Sequence, residues 1–266
     1  LFDYLAGRAT PGVEEVEGTR YRRTIYSDGA KGTVELELTA SGDIRMTARL
    51  DRIDALAGIV RRARNLLDLD ADPDAISSHL SSDPKLRSVV ARVPGLRVPG
   101  SFDGFELAVR AILGQQVSVK AATTLAGRLA AAFGEPLDEP DGGLTHVFPT
   151  PERLVDAPIA SIGLPSRRAA TINTLARSVT SGDIVLDGTA DLETTKARLL
   201  ALPGFGPWTV SYIAMRALRD PDSFLPSDLG IKHALTGLDI DPADRRDERW
   251  KPWRSYATLY LWTSLA

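Results

Sequence analysis

LPGFGPWTVSYIAMRAL, residues Leu202 to Leu218, joins a Pro/Gly turn to a helical pattern that begins directly behind it. Gly204 and Gly206 leave the turn's backbone bare, and Pro207 suits the first position of the next helix. Upstream, DLETTKARLLAL places Leu192, Leu199 and Leu202 near one helical face, with Thr189 or Asp191 as a candidate N-cap. The segment therefore reads as helix, hairpin, helix. Free N–H groups and the dipole at the start of the second helix suit a phosphate, whose recognition is largely indifferent to base sequence. An ordinary interhelical turn has the same pattern, and the Gly-x4-Gly-Lys-Ser/Thr signature of a nucleotide P-loop is absent. Trp208 and Tyr212, four apart, share a helical face, as a core pair or as an aromatic wall.

The 266 residues and 43% hydrophobic content suffice for one large domain or two to three smaller ones. A formal net charge of −3 gives no global basic field, so any polyanion must meet a local site. There is no cysteine, which excludes disulfides, cysteine-held zinc or iron–sulfur clusters and thiol nucleophiles together. His79, His146 and His233 form no HExxH or comparable metal pattern and read as surface or structural residues. No apolar run approaches the roughly 18 residues of a membrane span and no signal peptide is evident, so a cytosolic location fits. The chain opens on Leu1 inside a helical pattern, LFDYLAGRA, as part of a longer polypeptide would.

RYRRTIY, GTVELELTA and DIRMTARLD alternate as strands do, with Val34, Leu36 and Leu38 on one face and Ile44, Met46, Ala48 and Leu50 on another. Asp28-Gly29 and Ser41-Gly42-Asp43 supply turns for an antiparallel meander. From Asp54 the period becomes helical, with Leu56, Ile59, Val60, Ala63, Leu66 and Leu67 on one face. Val93 to Gly104 is a Pro/Gly-rich crossing segment, and GEPLDEPDGGLTHVFPTP reads as a loop. No internal repeat or low-complexity tract is evident.

FELAVRAILGQQVSVKAA, FLPSDLGIKHAL and ERWKPWRSYATLYLW, taken with the hairpin, resemble the helix-hairpin-helix DNA glycosylase superfamily over nearly the whole chain. Within it the AlkA-type DNA-3-methyladenine glycosylases are most similar. The resemblance implies an α+β fold: an antiparallel sheet domain over residues 1–79, a helical subdomain from 80–103 and 220–266, and a second over 104–219 carrying the hairpin. It implies that amides at Gly204, Gly206 and Thr209 grip a DNA phosphate and that the carbonyls of Leu200, Leu202 and Phe205 hold a monovalent cation, with no other cofactor. Asp228, on its residues alone a candidate helix N-cap, aligns with the catalytic carboxylate. Trp208, Tyr212 and Trp262, with Tyr4 aligned more loosely, would surround an extruded base, and Gln116 would fill the gap it leaves. Trp250 and Trp253 read as core or as part of a basic-aromatic surface, and Lys251 and Arg254 as DNA contacts or salt-bridge partners.

Near Trp208 the strand-cleaving members carry a Schiff-base lysine, so the resemblance implies a monofunctional enzyme that excises alkylated purines from duplex DNA. The missing cysteines speak against the iron–sulfur branch. A noncatalytic hairpin module binding distorted duplex is the rival reading. Some relatives are fused to an alkylation-response regulator, which leaves room for such a domain ahead of Leu1.

Overall fold

The computed structural model describes residues 1–27 and 29–265, so Asp28 of the expected Asp28-Gly29 turn lies outside the described residues. Helix α1 (Phe2–Ala6) leads into strands β1 (Glu14–Glu17), β2 (Arg20–Ser27), β3 (Ala30–Leu38) and β4 (Ile44–Leu50), an antiparallel sheet in sequential order. Val34 pairs with Ala48, Leu36 with Met46 and Leu38 with Ile44. Directly paired residues point to the same side, so the two apolar sets expected on different faces form a single one. Helix α2 (Leu56–Leu66) covers it, packing Ile59, Ala63 and Leu66 against Tyr21, Ile25, Val34 and Leu36.

Helices α3 (Pro73–Ser81) and α4 (Pro84–Arg92) both begin Asp-Pro, the aspartate capping and the proline preset for the first turn. Ile76 and Leu80 of α3 pack among the later helices. The Val93–Gly104 segment then crosses back beneath the sheet domain. There Gly100 donates its N–H to the Leu66 carbonyl at 3.0 Å, and a Cβ on Gly100 would lie 2.0 Å from the Asn65 carbonyl oxygen.

Helix α5 (Gly104–Leu113) is buried along most of its length and forms the axis of one helical cluster with α6 (Val119–Phe133), α7 (Pro151–Leu154), α8 (Ser166–Thr180) and α9 (Leu192–Ala201). Between α6 and α7 the expected loop contains a short hairpin, β5 (Pro136–Asp141) and β6 (Leu144–His146). Long-range partners fix it: Thr24 Oγ1 donates to the His146 carbonyl at 2.8 Å and the Gly143 N–H donates to Glu15 at 2.7 Å. Helices α10 (Pro207–Arg216), α11 (Leu229–Gly237) and α12 (Arg254–Thr263) complete the order. With α3 and α4, α11 and α12 form the second helical cluster, around Leu225, Ile231, Trp250 and Tyr260.

A buried ionic network locks the sheet to α5. Arg23 bonds Glu106 at 2.6 Å, Arg110 bonds Glu14 at 2.7 Å, and the Tyr21 hydroxyl donates to Glu14 at 2.6 Å. Burial pushes the Glu14 carboxyl up, but Arg110 and Arg23 outweigh it and hold the group down at about 2. Among the described residues no helix is long and apolar enough to cross a membrane.

Candidate active site

Asp228 is the N-cap of α11: its Oδ1 accepts the Ile231 N–H at 3.0 Å. The same carboxylate accepts two indole N–H groups, Trp262 Nε1 on Oδ1 and Trp208 Nε1 on Oδ2, both at 2.9 Å. The cap and the aromatic site are thus one arrangement. Three donors from α10, α11 and α12 fix the orientation of an anion that remains half-buried. Gly230 makes room for this: a Cβ there would stand 3.1 Å from Asp228 Oδ1 and 3.2 Å from Trp262 Cδ1.

Trp208 and Tyr212 stack with centroids 5.2 Å apart and planes within 8°. Tyr212 packs against both helical clusters, so the wall stands where they meet, serving partly as core and partly as open surface. Tyr4 joins from α1. Its hydroxyl accepts from Arg216 Nη1 at 2.6 Å, and the same nitrogen donates to the Tyr212 hydroxyl at 2.8 Å. Arg8 lies over the Tyr4 ring, 3.8 Å from its centroid. Burial pushes the Tyr4 phenol up to about 12.

The hairpin sits at the other end of α10. Gly204 has φ +89°, and a Cβ there would lie 2.3 Å from Thr171 Oγ1, so packing alone demands glycine. Gly206, the N-cap, has nothing within 4 Å of where a Cβ would stand, so the backbone is open on that side. Thr209 is 4% exposed and its hydroxyl is engaged by Gln115, so its main-chain N–H is what it offers a ligand. At the extended C-cap, Leu202 turns its carbonyl off the helix axis, where it accepts the Phe205 N–H at 3.2 Å; Leu200 lies in the last turn of α9, whose carbonyls lack intrahelical donors. Main-chain oxygens are hard ligands, which fits a monovalent cation.

Gln116 is exposed with φ +59° in the loop between α5 and α6. Its neighbour Gln115 donates to the Gly204 carbonyl at 3.1 Å and to Thr209 Oγ1 at 3.2 Å, and Arg168 donates to the carbonyls of Leu113 and Gln115. This loop and the hairpin are therefore held as one piece. Sequence reasoning misses Gln115, Arg168, Arg216 and Gly230. Arg216 has a visible signal, a cation one turn beyond Tyr212 on an otherwise apolar helix face.

The remaining candidates fall outside the site. Trp250 is 1% exposed and donates to Asp83 at 2.8 Å, and Trp253 packs edge-on against Tyr256. Arg254 pairs with Asp222 and Lys251 with Glu248, both at 2.8 Å. His79 bonds the Arg249 carbonyl, His146 bonds Thr145 Oγ1, and His233 is exposed. A cavity of about 320 Å³ lined by Lys196, Asp222, Phe224, Arg246 and Trp250 includes none of the site side chains.

Residues 109–254, more than half the chain, match the HhH-GPD superfamily of base excision DNA repair proteins. The chain belongs to that superfamily. Residues 1–103 match the AlkA N-terminal domain. Among HhH-GPD relatives, the probable bifunctional transcriptional activator/DNA repair enzyme AlkA of Mycobacterium tuberculosis is 47% identical over 270 residues, covering 100% of this chain and 54% of that protein. The chain thus spans about half the length of that relative. DNA-3-methyladenine glycosylase 2 of Escherichia coli is 37% identical over 270 residues, covering 98% of this chain and 92% of that one. The solved 3-methyladenine DNA-glycosylase of Archaeoglobus fulgidus superposes with a TM-score of 0.84 at 24% identity, over 98% of this chain and 92% of that one, and shares the HhH-GPD fold.

Proposed function

We propose that the protein is a monofunctional DNA glycosylase that releases alkylated purines from duplex DNA. The observation that carries this reading is the Asp228 carboxylate, bonded by the indoles of Trp208 and Trp262 beside the Trp208–Tyr212 stack. The name of the Escherichia coli relative, a DNA-3-methyladenine glycosylase, supports it. As an alkylated purine departs, positive charge develops on the deoxyribose, and a fixed anion beside the sugar stabilises that charge. An N3- or N7-alkylated purine is itself cationic and leaves as a neutral base, so the bond breaks without a proton donor.

The target nucleotide must leave the stack, at a cost of roughly a few kcal/mol. The aromatic wall of Trp208, Tyr212 and Trp262, with Tyr4 behind it, receives it, and a cationic ring gains roughly 0.5–2 kcal/mol over a free aromatic face. Gln116 fills the vacated position. The amides of Gly206 and Thr209, with Gly204 setting the turn, hold a phosphate, and the carbonyls of Leu200, Leu202 and Phe205 hold a monovalent cation. Trp208 stands where a Schiff-base amine would be needed, so the product is an intact abasic site. The Mycobacterium tuberculosis relative is named as both activator and repair enzyme, which supports pairing this repair unit with an alkylation-response regulator.

The test is to incubate methylated duplex DNA with the protein and identify the liberated bases. Release of methylated purines is expected, and Asp228→Asn should slow it by roughly 10²–10³-fold. Binding of the duplex without base release, or an Asp228→Asn rate equal to wild type, removes the reading.

A further inference from the structure

Arg216 is a charge that the proposed reaction does not use. It is 4% exposed, and among the described residues its guanidinium donates to neutral oxygens: the carbonyl of Pro99, that of Gly100 at 3.1 Å, and the hydroxyls of Tyr4 and Tyr212. A buried guanidinium is ordinarily paired with a carboxylate. Here two phenols stand in that place, and counting hydrogens shows what they gain.

Guanidinium is a donor only. Both phenol oxygens accept from Nη1, so neither tyrosine hydrogen can be directed at Arg216. Each hydroxyl hydrogen must therefore go to an acceptor other than Arg216. Neither ring is sealed in the core, and Tyr212 lies face to face with the indole that holds Asp228. The Tyr212 hydroxyl hydrogen, turned away from Arg216, is thus carried by a ring of that wall. Replacing the cation by a group able to accept would let that hydrogen turn inward.

We propose that Arg216 makes the Tyr4–Tyr212 pair a one-way hydrogen-bond donor in the base pocket, aimed at an acceptor atom of the extruded purine, and so favours release of neutral lesions over cationic ones. The assignment rests on the glycosylase reading. When the C1′–N9 bond breaks, its electron pair goes to the purine and a water oxygen bonds to C1′. A cationic purine becomes neutral in that step, and the proton lost by the water passes to solvent. A neutral purine such as hypoxanthine becomes an anion until it takes a proton from the water, and a fixed donor stabilises that charge as it develops. Burial pushes the Tyr212 phenol up, but Arg216 and Tyr4 bring it below the ordinary tyrosine range, as a strengthened donor should be.

The experiment measures single-turnover release from two duplexes, one with a single deoxyinosine and one with a single N7-methyldeoxyguanosine. Tyr212→Phe keeps the ring and removes the hydroxyl. Both rates should fall, with hypoxanthine release falling roughly tenfold further than 7-methylguanine release. Arg216→Gln offers an amide oxygen to the phenols and should shift the same ratio with both hydroxyls present; if it does not fold, Tyr212→Phe decides alone. Equal fractional losses on the two lesions in Tyr212→Phe overturn the assignment. So does a wild type that releases 7-methylguanine and no hypoxanthine. If the wild type releases neither base, the glycosylase reading itself has failed.

Discussion

Replacing Gly230 by alanine separates the placement of Asp228 from the stability of the fold. The added methyl would stand 3.1 Å from Asp228 Oδ1 and 3.2 Å from Trp262 Cδ1, closer than ordinary van der Waals contact. Both side chains must then yield by a few tenths of an ångström. Gly230 lies in the first turn of α11 with no left-handed φ, and alanine gains up to about 1 kcal/mol in helix propensity, which offsets the crowding. Folding stability should therefore barely move. Displacing the carboxylate from about 3.5 to about 3.8 Å from a developing cation costs about 0.4 kcal/mol at an effective dielectric constant of about 20. That corresponds to a roughly twofold slower chemical step. Single-turnover base release from a methylated duplex, run beside thermal unfolding, checks this. A wild-type rate at an unchanged Tm would refute the idea that indole-held placement of Asp228 sets the rate.

The two hairpin glycines should behave oppositely. Gly204→Ala meets Thr171 at 2.3 Å in a left-handed conformation and should cost about 2–3 kcal/mol, a fall of roughly 5–10 °C in Tm. Gly206→Ala meets nothing within 4 Å and should leave Tm alone while weakening duplex binding several-fold, read by fluorescence anisotropy at fixed salt. Acid should loosen the sheet from α5. Glu14 titrates at about 2 in the fold and at about 4.5 when unfolded, so its stabilisation is fully present above about pH 5 and is lost as pH falls towards 2. The amount is on the order of 3 kcal/mol, and Glu14→Gln should flatten the stability profile across that window, as urea unfolding at stepped pH will show. Borohydride added during turnover should trap no covalent adduct, since Trp208 supplies no amine.

Features set by local period and turn chemistry are the ones legible in the sequence. Trp208 and Tyr212 sit four apart because the helix starts at Pro207, and that spacing alone places them in one stack. The strands β2 to β4 alternate clearly. Strand β1 reads EEVE and β5 reads PLDEPD, with little apolar alternation, because ion pairs such as Arg22 with Glu15 and Asp141 hold them in place of a buried side-chain face. Nor does spacing reveal that Gln115 reaches 89 residues along the chain to Gly204, or that Arg216 meets a carbonyl 116 residues away at Gly100. Such contacts exist only once the helices have packed, and their residue types carry no periodic signature.

The N-terminal sheet domain bears on the site through one side chain rather than through its surface. Tyr4 is carried by α1, which packs with the sheet cluster, yet its hydroxyl shares a nitrogen of Arg216 with Tyr212. Arg216 in turn binds the Pro99 and Gly100 carbonyls of the segment crossing from one domain to the other, where Gly100 is also bonded to the end of α2. Any shift of the sheet domain against α10 must therefore break bonds to a buried guanidinium, leaving its charge unsatisfied at a cost of several kcal/mol. The Trp208–Tyr212 wall is stiffened from behind by this junction, while Asp228 is fixed from in front by the two indoles. Orientation of the anion and orientation of the ring wall are thus set by different domains that meet on α10.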